Sequence, residues 1–99
     1  MILGQRQEEF ALMYGKLIVW GYEQGYKMRL DDVFAHDGHK EGSNHYLKLA
    51  GDIFIYKPGE AVQDMEAHRR MHDAWDALGG AKRIEGDLCH YSVKYNGSW

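Results

Sequence analysis

Ser43, His45, Asp52, Asp87 and His90 stand in two short runs, SNHYLKLAGDI (43–53) and GDLCHYS (86–92). The runs offer two imidazoles and a carboxylate to a metal ion, and a further carboxylate three residues before the second imidazole. Three such donors leave a tetrahedral ion one position for water, and a carboxylate beside it can act as a base. This is the donor inventory of a hydrolytic zinc site. Six histidines in 99 residues justify a search for metal.

The spacing dictates what must hold these groups. His45 and Asp52 are seven residues apart, and an odd separation on one regular strand places side chains on opposite faces. His45 is therefore expected in a loop or bend, with Asp52 on the strand that follows. Asp87 and His90, three apart, need a turn between them, which Gly86 would assist. Around these runs, Phe10, Met13, Tyr14, Leu17, Ile18 and Gly21 recur at helical steps and predict a helix from about Gln5 to Gln24, stopped by Gly25. Tyr26 to Leu30 alternates and reads as a half-buried strand, and Asp31 to Asn44 as loop. Ala50 to Tyr56 is a strand, and Lys57-Pro58-Gly59-Glu60 a turn. Asp64 caps a second helix with Met65, His68, Met71, Trp75 and Leu78 inward, ended by Gly79-Gly80. Lys82 to Ile84 and His90 to Tyr95 read as short strands. The expected fold is a small single α+β domain over 1–99, an antiparallel sheet with helices packed on one side.

Composition supports a folded chain. Apolar residues make up 44% and aromatics 13%. A net charge of −3 without a Lys/Arg run argues against a nucleic-acid partner. The one cysteine, Cys89, rules out an internal disulfide. MILGQRQEEF lacks the basic start and apolar run of a signal peptide, and Leu17-Ile18-Val19-Trp20 is too short to span a bilayer. The expectation is a chain made soluble in the cytoplasm, with no membrane partner; a monomer is favoured, but the sequence leaves the oligomeric state open. There are no internal repeats.

The two runs resemble the M15 family of zinc peptidases, which includes D-Ala-D-Ala carboxypeptidases and phage L-alanyl-D-glutamate endolysins. That family's pattern is Ser-x-His, an Ala position and Asp, then a later Asp/Glu-x-x-His. Ser43, His45, Ala50 and Asp52 fill the first part, and Asp87 and His90 the second. Gly25-Tyr26, the segment 57–69, Trp75 and the stretch 90–97 also look like small phage-encoded members. The resemblance implies the hedgehog/D-Ala-D-Ala peptidase-like fold, with Zn²⁺ held by His45, Asp52 and His90. A bound water would be activated toward a pKa of about 7. Asp87 would be the general base, and Ser43 would orient a ligand or face substrate. Tyr91 would line the pocket. The implied substrate is a peptidoglycan stem peptide. The implied setting is a phage endolysin or virion-associated wall hydrolase, made in the host cytoplasm and delivered to the wall by release through a pore or on a particle.

Two positions depart from the family. Ala35 occupies the place of an arginine that helps polarise the substrate carbonyl, leaving His36, His39 or Arg29 as substitutes. Lys48 stands where a glycine is usual. A zinc-binding chain whose catalysis has decayed is the alternative that this motivates. His68 and His72, four apart on the second helix, are better read as inner-face and edge residues than as ligands. Cys89 is expected to be buried and inert.

Overall fold

Phe10, Tyr14, Leu17 and Gly21 form one stripe, and they are the buried positions of α1 (Leu3–Glu23) in the computed structural model, which describes residues 2–33, 38 and 43–99. The helix begins two residues earlier than the periodicity predicts, because Gln5 Oε1 accepts the Ile2 N–H and closes its first turn. It ends in a Schellman arrangement. Gly25 adopts φ +92°, its N–H bonds the Tyr22 carbonyl, and the Tyr26 N–H reaches back to Gly21.

That ending shortens the next strand. Met28 N–H donates to Tyr22 Oη, so the sheet ladder starts only at Arg29 and β1 covers Arg29–Asp31. The strand predicted over Tyr26 to Leu30 thus starts three residues later and ends one later, and its residues are exposed rather than half-buried. A 3₁₀ turn (Asn44–Leu47) precedes β2 (Ala50–Phe54). Beyond Phe54 the chain stays extended but pairs with its own turn. Ile55 N–H bonds Gln63 Oε1, and Tyr56 bridges Gln63. The turn is the expected one: Pro58 at its second position, Gly59 at φ +73°, and Glu60 N–H to the Lys57 carbonyl.

Helix α2 (Met65–Leu78) matches expectation in its cap, Asp64 accepting the Ala67 N–H, and in its stop, Gly79 at φ +96°. Its inner face differs. Met65 is exposed, and His72, expected at the edge, is buried beside His68, Met71 and Trp75. Lys82 to Ile84 forms no strand. Ile84 instead opens a turn, with Gly86 at φ +85° and Asp87 N–H bonded to the Ile84 carbonyl. β3 (His90–Ser92) is shorter than predicted. The chain leaves it for a tight Asn96-Gly97 turn in which Tyr95 and Ser98 exchange both backbone hydrogen bonds.

The sheet is antiparallel in the order β1-β2-β3. Its alternation decides the layers. Ile53 and Tyr91 join Phe10, Tyr14, Leu17, Met71 and Trp75 in the core under the two helices, while Asp52 and His90 point to the opposite face. Tyr14 can lie against β2 only because residue 51 is glycine, where a Cβ would sit 2.5 Å from its hydroxyl. The result is the expected α+β domain with both helices on one side of the sheet. No helix among the described residues is long and apolar enough to cross a membrane.

Candidate metal site

Three elements converge on the helix-free face of the sheet. Asp52 and His90 are direct cross-strand partners of β2 and β3, so their side chains stand together. His45 enters from the 3₁₀ turn, whose start is capped by Ser43: its Oγ accepts the His45 N–H at 3.3 Å. Asn44, buried beside it, ties this turn to the strand end by donating from Nδ2 to the carbonyls of Val93 at 2.7 Å and Ser98 at 3.2 Å. The odd spacing of His45 and Asp52 is resolved as anticipated, bend then strand. Lys48, in a left-handed conformation at φ +58°, makes the corner between them.

His45 Nε2 lies 3.4 Å from Asp52 Oδ1 and 3.0 Å from His90 Nδ1, and His90 Nδ1 lies 3.9 Å from Asp52 Oδ1. An ion with bonds of 2.0–2.1 Å to tetrahedral donors separates them by about 3.3 Å, which these edges bracket. Protonation favours an ion too. His45 Nδ1 faces the Asp32 carbonyl, which can only accept, so Nδ1 carries the proton and Nε2 offers its lone pair inward. Burial, and then the neighbouring His45, lower the His90 pKa, against smaller raising effects of Asp87 and the Trp99 main chain. The His45 and His90 rings thus meet at Nε2 and Nδ1, beside the Asp52 carboxylate. Asp31 stands directly opposite Asp52 in the ladder, and carboxylates of Asp31, Asp32 and Asp52 also gather within 4.8 Å. Like charges placed so repel one another, and a cation between them offsets the repulsion. The cluster of His45, Asp52 and His90 can therefore hold a metal ion.

The other expected site residues fall at different distances from this point. Asp87 is exposed in the turn that delivers His90, with its carbonyl accepting the His90 N–H at 3.1 Å. The residues between them are Leu88 and Cys89, and Gly86 serves the preceding turn. The Ser43 hydroxyl orients His45 through its backbone. Arg29 stacks over Tyr56, its guanidinium carbon 4.8 Å from the ring centre, two residues along β1 from the Asp31–Asp52 pair. Tyr91 cannot line a pocket. It has no exposed surface, bonds His68 Nδ1 at 2.7 Å and stacks on His72. Its position opposite Gly51 turns it into the core. His36, Ala35 and His39 lie outside the described residues.

His68 and His72 do not share a metal. His68 bonds Tyr91 and Gln63, and His72 bonds the Leu88 carbonyl at 2.9 Å. Cys89, expected to be buried, is half-buried with its Sγ 3.9 Å from His68 Nε2, and burial pushes its thiol pKa up. The sequence reading missed Asn44 and the Asp32 carbonyl. A buried asparagine beside a ligand had a signal in its position, whereas a backbone acceptor thirteen residues away had none. None of the family models, curated proteins or solved structures compared with the chain matches it.

Proposed function

We propose that the chain is a zinc-dependent peptidase that hydrolyses peptidoglycan stem peptides, in the manner of a phage endolysin or virion-associated wall hydrolase. The observation that carries this reading is the triad of His45, Asp52 and His90, with donor separations suited to a small tetrahedral ion. Two imidazoles and one carboxylate are a catalytic donor set, whereas structural zinc sites are closed by four, mostly cysteine-rich, ligands. Zinc, when bound, supplies Lewis acidity that brings water toward a pKa of about 7 and polarises a carbonyl. Asp87, exposed three residues before His90, takes the proton of the attacking water and hands it to the leaving amine. The Asp32 carbonyl holds the His45 ring in the tautomer that ligation needs.

One observation favours a second reading, a zinc-binding chain without turnover. Arg29, on the triad's face of the sheet, sits on Tyr56 rather than at the triad. Removing an oxyanion donor costs about 2.7–4 kcal/mol of transition-state stabilisation. The two readings part in a mass-spectrometric digest of purified peptidoglycan by the zinc-loaded chain and by Asp87→Ala. New peptide ends from the wild type alone, with zinc retained by the variant, support the peptidase and name its bond. No new ends from either would sink the enzyme in favour of the binding protein.

A further inference from the structure

A groove of about 770 Å³ runs between the approach to β1 and the 57–60 turn, lined by residues 27–29 and 56–61. Three cations, Lys27, Arg29 and Lys57, face it against one acid, Glu60. This is a local excess of positive charge on a chain whose net charge is −3. Its shape is held by backbone features. Pro58 and Gly59 lock the turn, the Lys57 N–H bonds the Val62 carbonyl, and Tyr56 bridges Gln63. Arg29 is positioned by stacking on Tyr56, which leaves the guanidinium edge available for a bidentate acceptor.

Arg29 pairs with Phe54, and Asp31 with Asp52. Side chains two apart on a strand share a face, so Arg29 lies on the same face as the triad, about 6.6 Å along the strand. An extended peptide advances about 3.3–3.6 Å per residue. A chain with its scissile bond at the triad therefore places a group about two residues away at Arg29.

Resting on the peptidase reading, we infer that this groove is a carboxylate-binding subsite, which selects peptides bearing a free carboxylate about two residues from the cleaved bond. A planar carboxylate matches the arginine fork, with Lys57 and Lys27 adding charge from the rim.

The test is a calorimetric titration of the zinc-loaded Asp87→Ala chain, which prevents turnover. The probes are the acetylated tripeptide L-Ala-γ-D-Glu-L-Lys and the same peptide with its carboxyl groups amidated. The acid is expected to bind at least tenfold tighter than the amide. Arg29→Gln with Lys57→Gln in the same background should bring that ratio close to one, and Lys57→Gln alone, at an exposed turn, should lower it in part. Zinc affinity should not change. A ratio near one in the parent, or one unaltered by the substitutions, would overturn the subsite. So would inorganic phosphate displacing the acid peptide at equal concentration, since the groove would then be reading charge alone. The two readings fail separately. Acid-selective binding with no digestion of peptidoglycan by the wild type leaves the groove standing without the peptidase. Digestion with equal affinity for acid and amide does the reverse.

Discussion

The backbone corner at Lys48 shows how a single residue governs the site. It links the turn carrying His45 to the strand carrying Asp52, and it does so at φ +58°. A side chain with a Cβ is disfavoured there by about 1–2 kcal/mol, and glycine is not. Lys48→Gly should therefore leave zinc binding intact and raise the unfolding free energy by up to about 1 kcal/mol, after the extra freedom of glycine in the unfolded chain is subtracted. Urea denaturation would measure it, and a loss of stability would mean that the lysine side chain holds the corner through contacts of its own.

Between elements, the joint of α2 with β3 is polar where a helix-on-sheet contact is usually apolar. His68 is fully buried, with Tyr91 Oη on one ring nitrogen and Gln63 on the other, and His72 stacks on the Tyr91 ring at 4.2 Å. Burial, then the neighbouring His72, lower the His68 pKa to about 4, against a smaller raising effect of Asp64. Burial lowers His72 as well. A folded pKa below the unfolded 6.5 means that the unfolded chain takes up protons first as the pH falls. The stabilisation is complete above pH 6.5 and is lost between about 6.5 and 4. For His68 alone the loss is at most about 3 kcal/mol over that window. Unfolding free energies of the metal-free chain, measured from pH 7.5 to 4.5, should fall accordingly, and His68→Gln should flatten the slope. A wild-type profile that is level across this range would contradict neutral buried imidazoles at the joint.

At the scale of the whole molecule, the candidate metal site is where three separate parts of the chain meet, so ion binding there would be linked to folding. A ligand that binds only the folded state stabilises it by about 2.7 kcal/mol at a hundredfold excess over its dissociation constant. In a chain of 99 residues that corresponds to a rise in Tm of roughly 10–20 °C. Thermal scans with zinc and with a chelator should differ by this order. His45→Ala should abolish the difference, since the remaining pair, Asp52 and His90, offers one imidazole and one carboxylate. An equal shift in that variant would place the ion elsewhere.

Much of this architecture is local chemistry and was legible in the residues. The helix stripe of Phe10, Tyr14 and Leu17, the Asp64 cap, the Pro58-Gly59 turn and the Gly79 stop each depend on neighbours within a few positions. The bend-then-strand solution for His45 and Asp52 followed from parity alone. The Asn96-Gly97 turn was equally local, and its signal was passed over. Other features depended on partners distant in the chain. Tyr26 began no ladder because Tyr22 and Gly21 claimed the groups around it, and after the Ala81 N–H bonds the Ser92 carbonyl no ladder continues through Lys82 to Ile84. Tyr91 and His72 turned inward because β3 set their facing against α2, which no local pattern encodes. The separations of 3.0–3.9 Å at the triad, the Asp32 carbonyl behind His45 and the cationic groove at Arg29 arise only when β1, β2 and β3 lie side by side. Composition and spacing can name the donors of a site. Their convergence on one point is a property of strand register, which is set by packing across the whole sheet.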